Sequence, residues 1–482
     1  MFKDRLLIWS KTVTIVFTRM NKETNTKFVI QGLAGAKTLK GSIRINGAKN
    51  AALKAMAATV LFKEKVRLEN IPHTADIDTM ALILQKLGAS VEWIGDNDTN
   101  GKVMRDHIME IDASTINSTD IDPKLATGMR ASVVLTGPLL VRFGKVSFPA
   151  PGGCVIGARP VDLFIEGYKN MGAKVELKDG LYNISAPKTG DGGNGLKSSE
   201  FFFHRISVGG TETLMMTAVI GNGKTILKNC AKEPEIVNVA EWLIASGAKI
   251  KGVGTETIEI YGVKSLTYKK PYIAIPDRIE TGSFAILGAL CTRDLIIENC
   301  EPKHVESLIH FLQDSGAPIS ADKNSIIIKN NVRPNCSFKS FNIETREFPG
   351  FPTDLQSPIV TYLTQVTGNS QVDENIFEGR FKYIEDLVKI GAKIKITNER
   401  EVKISGPTEL VGTSQKSDDK ISGKTLVPVE LLAHDIRAGF AIVLAALVAK
   451  GEFVVRNAHL IDRGYEKLEE KLTAFGAKIK RV

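Results

Sequence analysis

Cysteine is scarce and unpatterned in this chain of 482 residues: five residues, Cys154, Cys230, Cys291, Cys300 and Cys336, widely spaced and without a C-x-x-C. An odd, scattered set excludes a disulfide framework and offers no zinc-ligand spacing, which points to a reducing, cytoplasmic setting. The seven histidines include no H-x-x-x-H, so spacing argues for no metal site. No apolar run can span a bilayer, because the stretch from Leu6 to Phe17 is broken by Ser10-Lys11-Thr12, and no small-residue cleavage site follows. Residues 1–26 read as a disordered extension, with Met20 as the true start. The net charge of +9 is modest and favours anionic partners such as phosphates, nucleotides or nucleic acid without choosing among them. With 43% hydrophobic and 24% charged residues, the chain can bury two cores of about 200 residues each.

What the sequence has in abundance is repetition. Six times a helix-like stretch runs into Gly-Ala-x-(Val, Ile), with the glycine at Gly88, Gly172, Gly247, Gly316, Gly391 and Gly476. In five copies an asparagine closes a strand-like run 16 to 19 residues earlier: Asn70, Asn229, Asn299, Asn375 and Asn457. Each unit reads as helix, turn, β-branched strand, amphipathic helix, then Gly-Ala and another strand. In one copy Leu295-Ile296-Ile297 is the strand, and Val305, Leu308, Ile309 and Leu312 form the helical stripe before Gly316. The glycine fits a helix C′ position, where a left-handed conformation reverses the chain. One unit cannot cover its own faces, so six suggest two pseudo-threefold halves with junctions near Gly47 and Pro276. Gly412 to Lys424 reads as an inserted surface loop.

The copy ending at Gly172 breaks the pattern, carrying Pro149-Ala150-Pro151-Gly152-Gly153-Cys154 and Gly157-Ala158-Arg159-Pro160 where its strand should meet its helix. A repeat is a structural device, so the copy that abandons it is where chemistry is expected. Cys154, in a Pro/Gly loop near Arg159, has surroundings that lower a thiol pKa; a lone cysteine is otherwise a small buried hydrophobe. Gly47-Ala48-Lys49-Asn50 lies where a strand meets an Ala-rich helix, offering a lysine and free N–H groups to a phosphate; the plainer alternative is a solvated turn lysine. Further charged residues fall at similar corners: Arg130, Arg278, Glu280, Asp354, Arg380, Asp435, Arg437 and Arg463. Singly each reads as a surface ion pair. Together they suit a cleft gripping a polyanion between two domains, each cation–phosphate pair contributing up to about 4 kcal/mol before desolvation.

Gly47-Ala48-Lys49-Asn50, Pro151-Gly152-Gly153-Cys154 followed by Gly157-Ala158-Arg159-Pro160-Val161-Asp162-Leu163, and Phe351-Pro352-Thr353-Asp354, in this order, resemble the enolpyruvyl transferases, over about Phe28 to Val482. The branch acting on UDP-N-acetylglucosamine at the start of peptidoglycan synthesis is the most similar. The resemblance implies an α/β fold of two inverse α/β barrels, each of three β-α-β-α-β-β repeats, with the active site in the interdomain cleft. One domain would comprise residues 27–48 plus 276–482, and the other, carrying the catalytic loop, the inserted residues 49–275.

The implied reaction moves the enolpyruvyl group of phosphoenolpyruvate onto the 3-hydroxyl of UDP-N-acetylglucosamine, releasing phosphate, with no metal or organic cofactor. By match to the family, Lys49, Arg159 and Arg463 grip phosphoenolpyruvate with Asn50 beside them, and Asp354 orients and deprotonates the sugar hydroxyl. Cys154 matches the loop thiol that serves as proton donor, or else in product release. Arg130 matches a substrate-site arginine. The uridine would lie along Arg159, Pro160, Val161, Asp162 and Leu163, the diphosphate near Arg205, Ile206, Ser207 and Val208, with Ile376 in contact and Arg380, Asp435 and Arg437 in support.

The chain departs from the family pattern at Lys54, usually proline; at Phe164 and Phe348, often histidine; and at Arg205, usually lysine. A cysteine at 154 implies sensitivity to fosfomycin. Two other readings stand beside this one. A 5-enolpyruvylshikimate-3-phosphate synthase would share the architecture but lacks the Pro-Gly-Gly-Cys loop. A nucleic-acid clamp also repeats a small α/β unit six times and carries positive charge, but has no use for a thiol loop. Neither a membrane nor a nucleic-acid partner is expected, and no signal fixes an oligomeric state.

Overall fold

The computed structural model describes residues 26–95, 107–150, 161–188, 194–330, 338–416 and 425–482. The N-terminal extension and the loop bearing Cys154, Arg159 and Pro160 lie outside the described residues. The chain divides into two compact units, one of residues 26–45 and 276–482, the other of residues 46–150 and 161–275. The fold is mixed α/β.

Six sheets form among the described residues, three in each unit. Five share one topology, a strand pairing parallel with a second that continues into two antiparallel ones, and in one of the five a further strand pairs outside the parallel one. Leu39–Arg44, Thr292–Glu298, Ser325–Lys329 and Ile319–Ala321 follow it, as do Glu200–Phe202, Lys224–Lys228, Thr257–Tyr261 and Lys249–Lys251. The sixth sheet belongs to the irregular copy. It has three strands, Lys145–Pro149, Leu181–Ser185 and Lys174–Lys178, and its parallel edge shrinks to the single bridge Asp120–Ser147.

The repeated asparagines and glycines have distinct jobs. All six tetrad glycines take φ between 90° and 112°, a region that side chains with a Cβ avoid, so the helix can end and the chain turn back into a strand. Asn70, Asn229, Asn299 and Asn457 are also left-handed. Their side-chain amides donate to the last carbonyls of the parallel edge segments: Ala274 at 2.8 Å, Phe203 at 2.7 Å, Ile45 at 2.7 Å and Ala433 at 3.4 Å. In the fifth copy Asn375 is not left-handed, and the buried Glu374 makes the bridge instead, accepting from Thr345 Oγ1 and Thr353 Oγ1, each at 2.9 Å.

The unit of residues 26–45 and 276–482 packs three helices against one another, Arg278–Cys291, Gln356–Leu363 and Ile436–Val448. The last is buried from Arg437 to Val448, as an all-round apolar helix must be. The sequence residues 413–416 depart from the surface-loop expectation: Thr413–Lys416 pairs antiparallel with Thr425–Leu432, extending its sheet as a hairpin. The β-branched and apolar run Thr425-Leu426-Val427 supplies the strand partner for this polar segment.

Candidate active site

In the unit of residues 26–45 and 276–482, Asp277, Asp354 and Asp435 lie at helix N-termini. Asp354 sits in the short 3-10 turn Thr353–Leu355 that leads into Gln356–Leu363. Its Oδ1 accepts from Arg380 Nη2 at 2.9 Å and its Oδ2 lies 3.3 Å from Arg437 Nε. Both arginines are buried, while the Asp354 side chain remains 28% exposed, so two buried guanidiniums orient a carboxylate that still reaches solvent. Arg380 also donates to Thr353 Oγ1. Asp435 caps Ile436–Val448, accepting from the Arg437 and Ala438 amides at 2.7 and 3.0 Å, and Asp277 caps Arg278–Cys291 in the same way.

Burial opposes the Arg437 charge, but Tyr465, Asp354 and Asp277 outweigh it and hold the guanidinium above the usual arginine range. Arg380 is likewise raised, against burial, by Asp354, Asp435 and Glu374. Arg463 follows the short helix Ala458–Ile461. The next residue, Gly464, lies against this cluster: a Cβ there would meet Ile436 Cγ2 at 2.5 Å and Arg437 Nη1 at 3.4 Å. The glycine therefore brings the Arg463 segment up to Arg437, one of the two arginines that hold Asp354. Ile376 is placed by its amide, which donates to Glu374 Oε1 at 3.0 Å.

In the other unit Lys49 opens the helix Lys49–Ala58. It is not a solvated turn residue: it is buried, with Nζ 2.8 Å from the buried Asp76 Oδ2. Gly47 makes this entry possible, since a Cβ there would fall 1.8 Å from the Asn70 carbonyl oxygen. Asn50 follows Lys49 in the first turn, and its carbonyl accepts from Lys54 Nζ at 3.1 Å. Arg130 begins the 3-10 helix Arg130–Leu135, which packs on Lys49–Ala58.

Ser207 caps the helix Val208–Val219, its Oγ accepting from the Gly210 amide at 3.1 Å. Arg205 and Ile206 immediately precede it, at the end of the helix where backbone N–H groups favour anions. Asp162 and Arg205, drawn from separate elements, form an ion pair. Burial would raise the Asp162 carboxyl, but Arg205 and the Leu163 amide prevail and hold it below the usual range. Val161 and Leu163 are buried, as are Phe164 and Tyr168 along the same stripe.

Three charged groups were not singled out by sequence reasoning. Asp76 pairs with Lys49, Glu374 braces both Thr353 and Ile376, and Glu212, wholly buried, faces Lys54 at 3.2 Å. Neither Glu212 oxygen has a well-directed hydrogen bond among the described residues, so the Lys54 contact is an ion pair. Cys230, Cys291 and Cys300 are buried, and burial pushes their thiols up to about 12, 12 and 11, which removes them as nucleophiles near neutral pH. Among the described residues no group of three or more His, Cys, Asp or Glu side chains could hold a metal ion, and no helix is long and apolar enough to cross a membrane.

The family model for EPSP synthase (3-phosphoshikimate 1-carboxyvinyltransferase) matches residues 33–472. A UDP-N-acetylglucosamine 1-carboxyvinyltransferase of Koribacter versatilis (strain Ellin345) is 41% identical over 456 residues, covering 95% of this chain and 96% of its own. That of Helicobacter pylori (strain ATCC 700392 / 26695) is 39% identical over 452 residues, 93% of this chain and 98% of its own. Among solved structures, the enolpyruvyl transferase NikO from Streptomyces tendae has a TM-score of 0.79 at 21% identity, covering 95% of this chain and 99% of its own. An EPSP synthase from Acinetobacter baumannii has a TM-score of 0.67 at 15% identity, covering 95% and 100%. At those identities the two structures speak for the fold alone.

Proposed function

The chain belongs to the EPSP synthase family of enolpyruvyl transferases, within its UDP-N-acetylglucosamine 1-carboxyvinyltransferase branch, and we propose that it catalyses the reaction for which that branch is named. The enolpyruvyl group of phosphoenolpyruvate passes to the 3-hydroxyl of UDP-N-acetylglucosamine, the committed entry to peptidoglycan, in the cytoplasm where both substrates are made. The observation that carries this choice of acceptor is the 41% identity over nearly the whole chain. The likeness to EPSP synthase structures is 15% identical and reaches the fold only. A nucleic-acid clamp is set aside by the family match.

In the proposed addition, the sugar oxygen bonds to C2 of phosphoenolpyruvate while C3 gains a proton, giving a tetrahedral ketal. In the elimination, C3 gives up a proton and the C2–O bond to phosphate breaks. The first step needs an oriented hydroxyl and a proton acceptor. We assign both to Asp354, supported by its two arginine contacts and its partial exposure. Cys154 supplies the proton to C3. Lys49, Asn50, Arg159 and Arg463 bind the phosphate and carboxylate of phosphoenolpyruvate, where negative charge must be held as the phosphate leaves.

Arg130, Asp162, Val161, Leu163, Pro160 and Ile376 receive the nucleotide sugar, and the helix start at Arg205–Val208 receives its diphosphate, consistent with the capped N-terminus there. Phosphate release from phosphoenolpyruvate tests the assignment directly. Release is expected with UDP-N-acetylglucosamine and not with shikimate 3-phosphate. The reverse preference would assign the chain to the other branch.

A further inference from the structure

The segment that carries Arg463 is tied down from both ends by one side chain near the C-terminus. Arg481 ends the strand Lys478–Arg481, whose neighbour Lys27–Gln31 places Phe28 opposite it. Its guanidinium lies over the Phe28 ring at 4.8 Å and forks to two carboxylates. Nη1 and Nη2 reach Asp462 Oδ2 and Oδ1 at 2.7 and 2.6 Å. Nε and Nη2 reach Glu469 Oε1 and Oε2. Asp462 immediately precedes Arg463, and Glu469 lies in the first turn of the next helix, Leu468–Ala474. Between them the chain passes Gly464, against Arg437, and Tyr465, whose hydroxyl meets Ser283 Oγ at 2.7 Å.

We propose that Arg481 is a positioning residue for phosphoenolpyruvate binding: its double fork fixes the two ends of residues 462–469 and so sets where Arg463 stands. Four charge-assisted bonds from one planar group fix orientation as well as distance, which a lysine's point charge cannot reproduce. The two acids keep the guanidinium above the usual arginine range although burial opposes it. The arginine fork of Arg456 on Glu430 in the same sheet is exposed and bonds to Glu430 rather than to Asp462 or Glu469, so it serves as the control.

The inference rests on the assignment of Arg463 to phosphoenolpyruvate, and steady-state kinetics of the full chain separate the two. Arg463→Gln is expected to lower kcat/KM for phosphoenolpyruvate at least 100-fold. Arg481→Gln is expected to raise KM for phosphoenolpyruvate about 10-fold, with kcat within threefold and KM for UDP-N-acetylglucosamine unchanged. Arg481→Lys should recover part of the loss. Asp462→Asn should give a similar rise, and the double variant about the same 10-fold rather than 100-fold, because both changes cut one link.

Arg456→Gln should leave every constant unchanged. An unchanged KM in Arg481→Gln beside a damaged Arg463→Gln overturns the positioning role alone. Equal rises in both KM values with a lowered Tm, or a multiplicative double variant, would also overturn it. An undamaged Arg463→Gln overturns the assignment and this inference together. Should Arg481→Gln fail to fold, Arg481→Lys and Asp462→Asn decide the matter by the same KM split.

Discussion

Lys54 stands where the enolpyruvyl transferases usually have proline, and the structure supplies its partner in the buried Glu212. Burial is the largest influence on Glu212 and, with Glu235 and Glu233 nearby, pushes its carboxyl up to about 7 despite Lys54. Its folded value thus lies above the ordinary 4.5, so the folded state holds this proton more tightly than the unfolded chain. The resulting stability is present in full below about pH 4.5 and is lost as pH rises through 7, a contribution of roughly 3 kcal/mol. Glu212→Gln should flatten the dependence of urea midpoint on pH between 5 and 8, and an unchanged slope would count against it. Lys54→Met removes the counter-ion of a buried acid and should cost about 3–5 kcal/mol at pH 8, less at pH 5. Lys49 poses the same problem with Asp76. Asp76→Asn should raise KM for phosphoenolpyruvate, since it withdraws the carboxylate that holds the lysine; unaltered kinetics would show that Lys49 needs no such support.

At the scale of elements, the repeat asparagines do more than close strands. Asn299 is left-handed and ties its own strand to the carbonyl of Ile45, just past the parallel strand Leu39–Arg44. Asn299→Ala should cost about 1–3 kcal/mol through the lost hydrogen bond and the backbone strain, read as a lower urea midpoint, whereas Asn375→Ala should cost less because Glu374 makes that bridge. Loss of equal size in both would refute the distinction. The repeats were legible because a six-copy pattern shows itself in spacing, and the helix stripes Val305–Leu312 and Val161–Tyr168 emerge buried as the periodicity requires. The counter-charges were not legible. Asp76, Glu212, Glu374 and Arg481 each meet a partner that folding, rather than local spacing, brings near, and nothing in the periodicity marks them. The strand Thr413–Lys416 was hidden for a related reason, being polar in sequence and paired with Thr425–Leu432 further along the chain.

For the whole molecule, five sheets repeat one topology and the sixth trims its parallel edge in the copy that runs into the Cys154 loop. Regular copies place Lys49, Asp354 and Arg463 at their corners, and the irregular one carries the Cys154 segment that departs from the repeat. The buried thiols of Cys230, Cys291 and Cys300 are poor nucleophiles, which leaves Cys154 and Cys336, and the family resemblance of the Pro-Gly-Gly-Cys segment makes Cys154 the expected site of fosfomycin addition. Intact mass should show one drug per chain, with peptide mapping at Cys154 and none in Cys154→Ser. Modification elsewhere, or none at all, would contradict this assignment.

The central claim is that Asp354, held by Arg380 and Arg437, prepares the sugar hydroxyl for attack. Phosphate release with saturating phosphoenolpyruvate and UDP-N-acetylglucosamine, compared between the native chain and a folded Asp354→Ala, tests it most directly. The account predicts a fall of at least about 1,000-fold in kcat, from lost orientation and lost proton transfer together, whereas an Asp354→Ala variant within tenfold of the native rate would contradict it.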